Sequence, residues 1–109
     1  TEEKQTALLQ TIQPDLLVLK PALIGGFDAC TAWKKKIKAI HGDWVITSAL
    51  ESNIGLNAIA QYAALEHCNY AQGLGTGQLY TNNIPSPYTV DAKGLHYHTN
   101  KSWNFSILQ

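Results

Sequence analysis

Between Pro14 and Pro21 the chain runs Asp15-Leu16-Leu17-Val18-Leu19-Lys20, too short for a stable helix and apolar at every position from Leu16 to Leu19. A run of that kind, with no polar alternation, suits a strand covered on both faces, and such strands belong to parallel sheets flanked by helices. The unit returns at Asp43-Trp44-Val45-Ile46-Thr47, and Ala71 to Thr76, broken up by Gly73 and Gly75, offers a third strand. Helical patterns separate them. Thr1 caps a helix with Glu2 and Glu3 in its first turn and Leu8, Leu9 and Ile12 on its apolar side, and Pro14 ends it. Phe27 to His41 sets Cys30, Trp33, Ile37 and Ile40 at helical spacing, with Gly42 as the stop and Lys34, Lys35, Lys36 and Lys38 on a solvated outer face. Asn53 to about Cys68 is an alanine-rich helix with Ile54, Ala58, Ile59, Tyr62 and Ala63 inward. Helix and strand alternate three times, which calls for an α/β fold with parallel strands and right-handed crossovers.

From Gly77 the character changes. Asn82-Asn83-Ile84-Pro85-Ser86-Pro87 is an extended connector, and Tyr88-Thr89-Val90 and Leu95-His96-Tyr97-His98 flank Asp91-Ala92-Lys93-Gly94, a sequence suited to a hairpin turn. The chain therefore divides into an α/β portion, residues 1–84, and a tail, residues 85–109. The aromatic tail, with Trp103, Phe105 and Ile107 alternating, has no evident packing partner among the first 84 residues.

Composition narrows the function classes. The 109 residues suffice for one domain, and the eight lysines balance eight acids with no arginine present. Without the guanidinium fork or a basic field, nucleic-acid binding is not expected. No apolar stretch approaches the roughly 20 residues of a membrane span. Cys30 and Cys68 stand far apart outside any ligand spacing; free thiols of a reducing cytoplasm are the default reading, with a disulfide between the two as the open alternative. The chain begins at Thr1 and contains no methionine, so it is expected to be a piece of a longer polypeptide.

Parallel α/β architectures place their chemistry at the C-terminal ends of strands. Lys20 sits there after the first strand, where an ammonium partly shielded by Leu19 and Pro21 can stabilise a developing oxyanion, or can simply reach out to solvent. Ser48-Ala49-Leu50-Glu51-Ser52-Asn53 holds the equivalent place after the second strand; Ser52 or Asn53 caps the next helix, and the loop's hydroxyls, amides and carboxylate can also meet a polar substrate. Gly73-Leu74-Gly75-Thr76-Gly77 matches neither a dinucleotide nor a Walker motif, so close backbone approach or a tight turn accounts for it. His96 and His98 share a strand face but lack a third ligand.

Three segments together, Val18-Leu19-Lys20-Pro21 with Gly25-Gly26-Phe27, then Thr47-Ser48-Ala49-Leu50-Glu51-Ser52-Asn53-Ile54-Gly55-Leu56-Asn57, then Gln72-Gly73-Leu74-Gly75-Thr76-Gly77, resemble the C-terminal part of the o-succinylbenzoate synthases of menaquinone biosynthesis, members of the enolase superfamily. The resemblance spans most of the chain from Thr1 to Pro87. It implies a modified (β/α)7β barrel of TIM type with a capping domain, of which residues 1–84 supply strands 6 to 8 and residues 85–109 the tail returning to the cap. It implies magnesium-dependent dehydration of 2-succinyl-6-hydroxy-2,4-cyclohexadiene-1-carboxylate to o-succinylbenzoate, started by a strand-2 lysine that takes the proton alpha to the carboxylate. Lys20 matches the second lysine, on strand 6, which stabilises the enolate. Ser48, Leu50 and Glu51 are implied to border the substrate and Gly75 to lie at the strand-8 rim. The abstracting lysine and the magnesium ligands are not among these residues, and Asp15, Asp28 and Asp43 fall at strand starts or on helices. A barrel alone takes about 250 residues, so the isolated chain is expected to be inactive. The rival readings are a racemase or epimerase of the same superfamily and a non-catalytic domain that self-associates through open sheet edges.

Overall fold

The computed structural model describes residues 1–109. Helix α1 (Glu2–Ile12) begins at Thr1, whose side chain accepts from the Lys4 amide, and ends where Gln13 turns left-handed and donates to the Leu9 carbonyl. Strand β1 (Leu16–Leu19) follows, then a single helical turn α2 (Pro21–Ile24), helix α3 (Gly26–Ala39) and strand β2 (Asp43–Ile46). Helix α4 (Asn53–Leu65), a 3-10 turn (Thr76–Leu79), the hairpin strands β3 (Tyr88–Asp91) and β4 (Gly94–Tyr97), and a last 3-10 turn (Ser106–Leu108) complete the chain. No helix is long and apolar enough to cross a membrane.

β1 and β2 pair in parallel, Leu16 level with Asp43 and Leu19 with Ile46. The expected third strand shrinks to one residue. Gly73 bridges Thr47 in parallel, its amide donating to the Ile46 carbonyl at 2.9 Å and its carbonyl accepting from the Ser48 amide at 3.0 Å. The ladder goes no further because the Gln72 side chain takes the Ile46 amide, at 2.6 Å, and the chain enters the 3-10 turn at Thr76. Any side chain at 73 would collide with Thr47, since an added Cβ would lie 2.7 Å from its Cγ2. The glycine is required by close approach.

One face of the β1–β2 pair is covered by helices. Leu19, Trp44 and Ile46 form the core with Cys30 and Ile37 of α3, Leu56, Ile59 and Ala63 of α4, Leu9 of α1 and Leu74. The opposite face is open at β1, where Leu16 is 41% and Val18 55% exposed, so the first strand is not covered on both sides within this chain. In α4 the inward face is partly the expected one: Ile59 and Ala63 are buried and Tyr62 packs on the core, but Leu56 joins them while Ile54 and Ala58 are exposed. In α1 only Leu9 is buried, and Leu8 and Ile12 face solvent. Gly42 does not end α3 by a left-handed turn. His41 takes that conformation, and Gly42 is there because a Cβ would lie 2.6 Å from Ile37 Cδ1 and 2.8 Å from the Pro14 carbonyl.

Lys34 departs most from the sequence reading. It lies inside, 6% exposed, with its ammonium 2.6 Å from Glu66 and over the rings of Trp44 (4.9 Å) and Tyr62 (4.5 Å). Cys30, Lys34 and Ile37 share one helical stripe, so the charge enters the core and is matched there by an acid and two aromatic faces. Two of the other three lysines of α3 are tied at the surface, Lys38 to Asp43 at 3.0 Å and Lys36 to Gln5 at 2.6 Å, and Lys35 is exposed.

The hairpin of the tail does find a partner, while Phe105 and Ile107 stay about half exposed. Asp91 pairs with Gly94 around a two-residue turn, and Gly94 holds φ +134°, which suits glycine alone. The Tyr88 hydroxyl donates to Asn57 of α4 at 2.8 Å, Gln78 donates to the Val90 carbonyl, and Leu95 packs on the core. Trp103 and Phe105 stack on each other, and the Asn104 amide donates to the Pro85 carbonyl.

Candidate active site

The C-terminal ends of β1 and β2, with the Gly73 bridge beside them, form one rim. Lys20 follows Leu19 in extended conformation, and its carbonyl accepts from the Leu23 and Ile24 amides, so the turn α2 starts directly behind it with the buried Pro21 as its first residue. Proline fits that position because its missing N–H is not needed there. Alternation along β1 places Lys20 on the face of Leu16 and Val18, opposite the helices. The Thr47 amide donates to the Leu19 carbonyl at 2.8 Å, which keeps the parallel register running to Lys20 beside Thr47, and Thr47 is level with Gly73. Lys20 is half-buried and takes part in none of the chain's ion pairs.

Beyond β2 the chain makes a tight loop before α4. Ser48 is buried, its Oγ lying 2.5 Å from Thr76 Oγ1 and 3.4 Å from the Gly73 carbonyl. Its hydroxyl is thus engaged within the protein. Leu50 points outward, 66% exposed, while its carbonyl accepts from the Tyr80 hydroxyl at 2.7 Å. Glu51 turns back, Oε1 accepting from the Ala49 amide at 3.2 Å and Oε2 lying 3.0 Å from where a Cβ on Gly55 would sit. Gly55 therefore leaves space for this carboxylate at the first turn of α4, where the helix dipole also favours a negative charge. Ser52 caps the helix, its side chain accepting from the Gly55 amide.

Gly75 opens the 3-10 turn and lies toward the hairpin, with Val90 Cγ1 3.8 Å from a Cβ placed on it. It borders a groove of about 560 Å³ between α4 and the hairpin, which Ala60, Ala64, Leu74, Tyr88 and Leu95 also line. Lys20 and the Ser48–Glu51 loop thus share the rim, whereas Gly75 faces the other way. Thr76, Tyr80 and Asn83, which hold the loop from outside, were not among the sequence candidates. The hydroxyl inside Gly75-Thr76-Gly77 was the available signal, masked by the glycines around it.

No three histidines, cysteines or carboxylates gather as a cation site. Asp43 is held below the usual carboxylate range by the Lys38 ammonium and the Trp44 amide, Glu51 is turned onto its own loop, and Asp91 belongs to the hairpin turn. The residues of this chain therefore do not fit a magnesium site. What the rim offers is one ammonium at a strand end, backbone polar groups and an exposed leucine.

No protein-family model matches the chain. It is 51% identical over 89 residues to o-succinylbenzoate synthase of Desulfotalea psychrophila, covering 82% of this chain and 24% of that protein. It is 35% identical over 82 residues to the enzyme of the same name from Mycobacterium leprae, covering 74% of this chain and 24% of the relative. The chain thus spans about a quarter of the length of these curated relatives. Among solved structures, MenC from Desulfotalea psychrophila superposes with a TM-score of 0.80 at 49% identity, over 85% of this chain and 26% of that one. The L-Ala-D/L-Glu epimerase of Bacillus subtilis superposes with a TM-score of 0.72 at 18% identity, over 89% of this chain and 27% of that one, a likeness of fold alone. By sequence and by fold this chain is similar to the o-succinylbenzoate synthases, matching a segment about a quarter of their length.

Proposed function

We propose that this chain is the C-terminal part of an o-succinylbenzoate synthase, a lyase that dehydrates 2-succinyl-6-hydroxy-2,4-cyclohexadiene-1-carboxylate to o-succinylbenzoate. Residues 1–84 supply strand positions 6 to 8 of the barrel, and residues 85–109 lead to the capping domain. The observation that carries this reading is the placement of Lys20, at the end of β1 and level with Thr47 and Gly73, in a segment 51% identical to a synthase of that name.

Removing the proton alpha to a carboxylate moves negative charge onto the carboxylate oxygens. A fixed ammonium in a site of reduced dielectric lowers the energy of that charge and needs no proton transfer of its own. Lys20 has this role. Leu50 presents its exposed side chain to the apolar part of the substrate, and Ser48 and Glu51 shape the pocket through the loop they order, while Gly75, implied by the resemblance, lies toward the hairpin and takes no part at this rim. A magnesium ion, if the intact enzyme holds one, would be held by residues outside this chain and would supply charge neutralisation there. The chain alone is inactive and self-associates through the open edge and exposed face of β1, the surface that neighbouring barrel strands cover in the whole protein.

The test is a chimera in which this chain replaces the matching segment of the Desulfotalea psychrophila enzyme. It is assayed for o-succinylbenzoate formation and, separately, for epimerisation of the dipeptide L-Ala-D/L-Glu. Dehydration at a rate within about tenfold of the parent, roughly 1.4 kcal/mol in barrier, is the expected result. A folded chimera that only epimerises, or does neither, refutes the assignment.

A further inference from the structure

The rim loop is fastened from a single short segment. Thr76 Oγ1 donates to the Ala49 carbonyl at 3.0 Å and lies 2.5 Å from Ser48 Oγ. One turn later the Tyr80 hydroxyl donates to the Leu50 carbonyl at 2.7 Å. Three consecutive loop residues are thus held by two side chains of the 3-10 turn Thr76–Leu79 and its C-terminal cap, Tyr80. Asn83 extends the fastening: its Oδ1 accepts from the Asn53 amide at 2.8 Å at the start of α4, and its Nδ2 donates to the Gly77 carbonyl at 2.9 Å. Gly77 lets the two segments close, since a Cβ there would lie 3.0 Å from Asn53 Oδ1 and 3.2 Å from Leu56 Cδ2.

We propose that Thr76 and Tyr80 are positioning residues that clamp the Ser48–Glu51 loop in the form that meets the substrate. This rests on the synthase reading for its catalytic consequence, not for the clamp. A loop between a strand and a helix has several backbone conformations open to it, and four residues held at both ends still leave the carbonyls of Ala49 and Leu50 free to turn. The two hydroxyls remove that freedom by taking those carbonyls directly. With them turned inward, the Leu50 side chain is the part of the loop left facing out, 66% exposed. Thr76 acts as the hub because its single hydroxyl meets both a side chain and a carbonyl of the loop. Tyr80 acts on one carbonyl only.

Two measurements test the clamp. Hydrogen exchange on the 109-residue chain compares Thr76→Val, which is isosteric, Thr76→Ser and Tyr80→Phe with the parent. The Ser48 and Ala49 amides are expected to exchange at least about tenfold faster in Thr76→Val, as loss of one hydrogen bond near 1.4 kcal/mol predicts. Ile59 and Ala63 in α4 stay protected, and Thr76→Ser restores the parent pattern. In the intact enzyme carrying this segment, Thr76→Val lowers kcat/KM by about 10- to 100-fold, as loop misplacement does, chiefly through KM; Thr76→Ser recovers most of the loss and Tyr80→Phe shows a smaller one. Unchanged exchange at 48 and 49, or protection lost from α4 as well, overturns the clamp. Faster loop exchange with an unchanged kcat/KM overturns the catalytic consequence, while an intact parent enzyme that forms no o-succinylbenzoate overturns the synthase reading and leaves the exchange result to decide the clamp by itself.

Discussion

Removing Glu66 tests how Lys34 is held inside the fold. The Lys34 side chain is 8% exposed and that of Glu66 34%, with 2.6 Å between the charged atoms and no hydrogen-bond alignment, so the contact is a close ion pair. Coulomb's law at that separation gives about 6 kcal/mol at an effective dielectric of 20 and about 1.6 kcal/mol at that of water. Glu66 reaches solvent, and water enters when it is cut back, so Glu66→Ala is expected to cost about 2–3 kcal/mol, below the 3–5 kcal/mol typical of a fully buried pair. Lys34→Met removes the charge and leaves an apolar stem between Trp44 and Tyr62, so it is expected to change stability by less than about 1 kcal/mol. The double variant is expected to resemble Lys34→Met, giving a coupling of about 2 kcal/mol. Urea unfolding followed by tryptophan fluorescence reads this as a midpoint shift of about 1–3 M for Glu66→Ala, taking a slope of 1–2 kcal/mol/M. A shift under about 0.3 M, with no coupling, would refute the buried-pair reasoning.

The same pair predicts a pH dependence. Burial pushes the Lys34 pKa down, but the Glu66 and Tyr62 oxygens beside the ammonium outweigh it and hold the pKa above the ordinary lysine value. A raised folded pKa means the stabilisation is complete below the unfolded value, about 10.4, and is lost as pH rises through the folded one. Alkaline unfolding of the parent should show this loss, and Lys34→Met should lack it.

Three further outcomes are expected. Asp91 is held below its usual range by the Lys93 amide, the His96 ring and the Gly94 amide; its contribution to the hairpin is therefore present above about 3.9 and lost as pH falls through the lower folded pKa. NMR shifts of Lys93 and Gly94 should move in that acid range before those of β2, and Asp91→Asn should abolish the step. Gly73→Ala forces a Cβ to within 2.7 Å of Thr47 and should cost about 1–3 kcal/mol in urea unfolding, as overpacking does, with Thr47→Ser relieving part of it. Burial raises the pKa of the Cys30 thiol, against a smaller opposing effect of Lys34, so Cys30 should resist a water-soluble thiol reagent until the chain unfolds, while the half-buried Cys68 reacts first.

Local chemistry made much of the fold legible. The apolar runs at Leu16 and Trp44 became the parallel pair, Thr1 and Ser52 became caps, and Asp91-Ala92-Lys93-Gly94 turned the hairpin, because in each case the residues themselves restrict the backbone. What escaped depends on partners distant in sequence. The spacing of Cys30, Lys34 and Ile37 puts Lys34 on the buried stripe, but a lysine reads as solvated until Glu66, Trp44 and Tyr62 are seen to converge on it. α4 carries alanine, leucine and isoleucine around most of its circumference, and its polar stripe of Asn53, Asn57 and Gln61 is too narrow to fix which face turns in. At the rim, Lys20 was legible from its place at a strand end. The hold of Thr76 and Tyr80 on the loop was not, since it joins residues 27 and 30 positions apart.

The most direct test of the account is the turnover of the intact enzyme, parent against Lys20→Ala, measured by o-succinylbenzoate formation with folding checked by circular dichroism. Loss of a fixed charge beside a developing oxyanion should lower kcat by at least about 100-fold, or some 2.7 kcal/mol in barrier, with a smaller change in KM. A folded Lys20→Ala enzyme that keeps kcat within about threefold of the parent would contradict it.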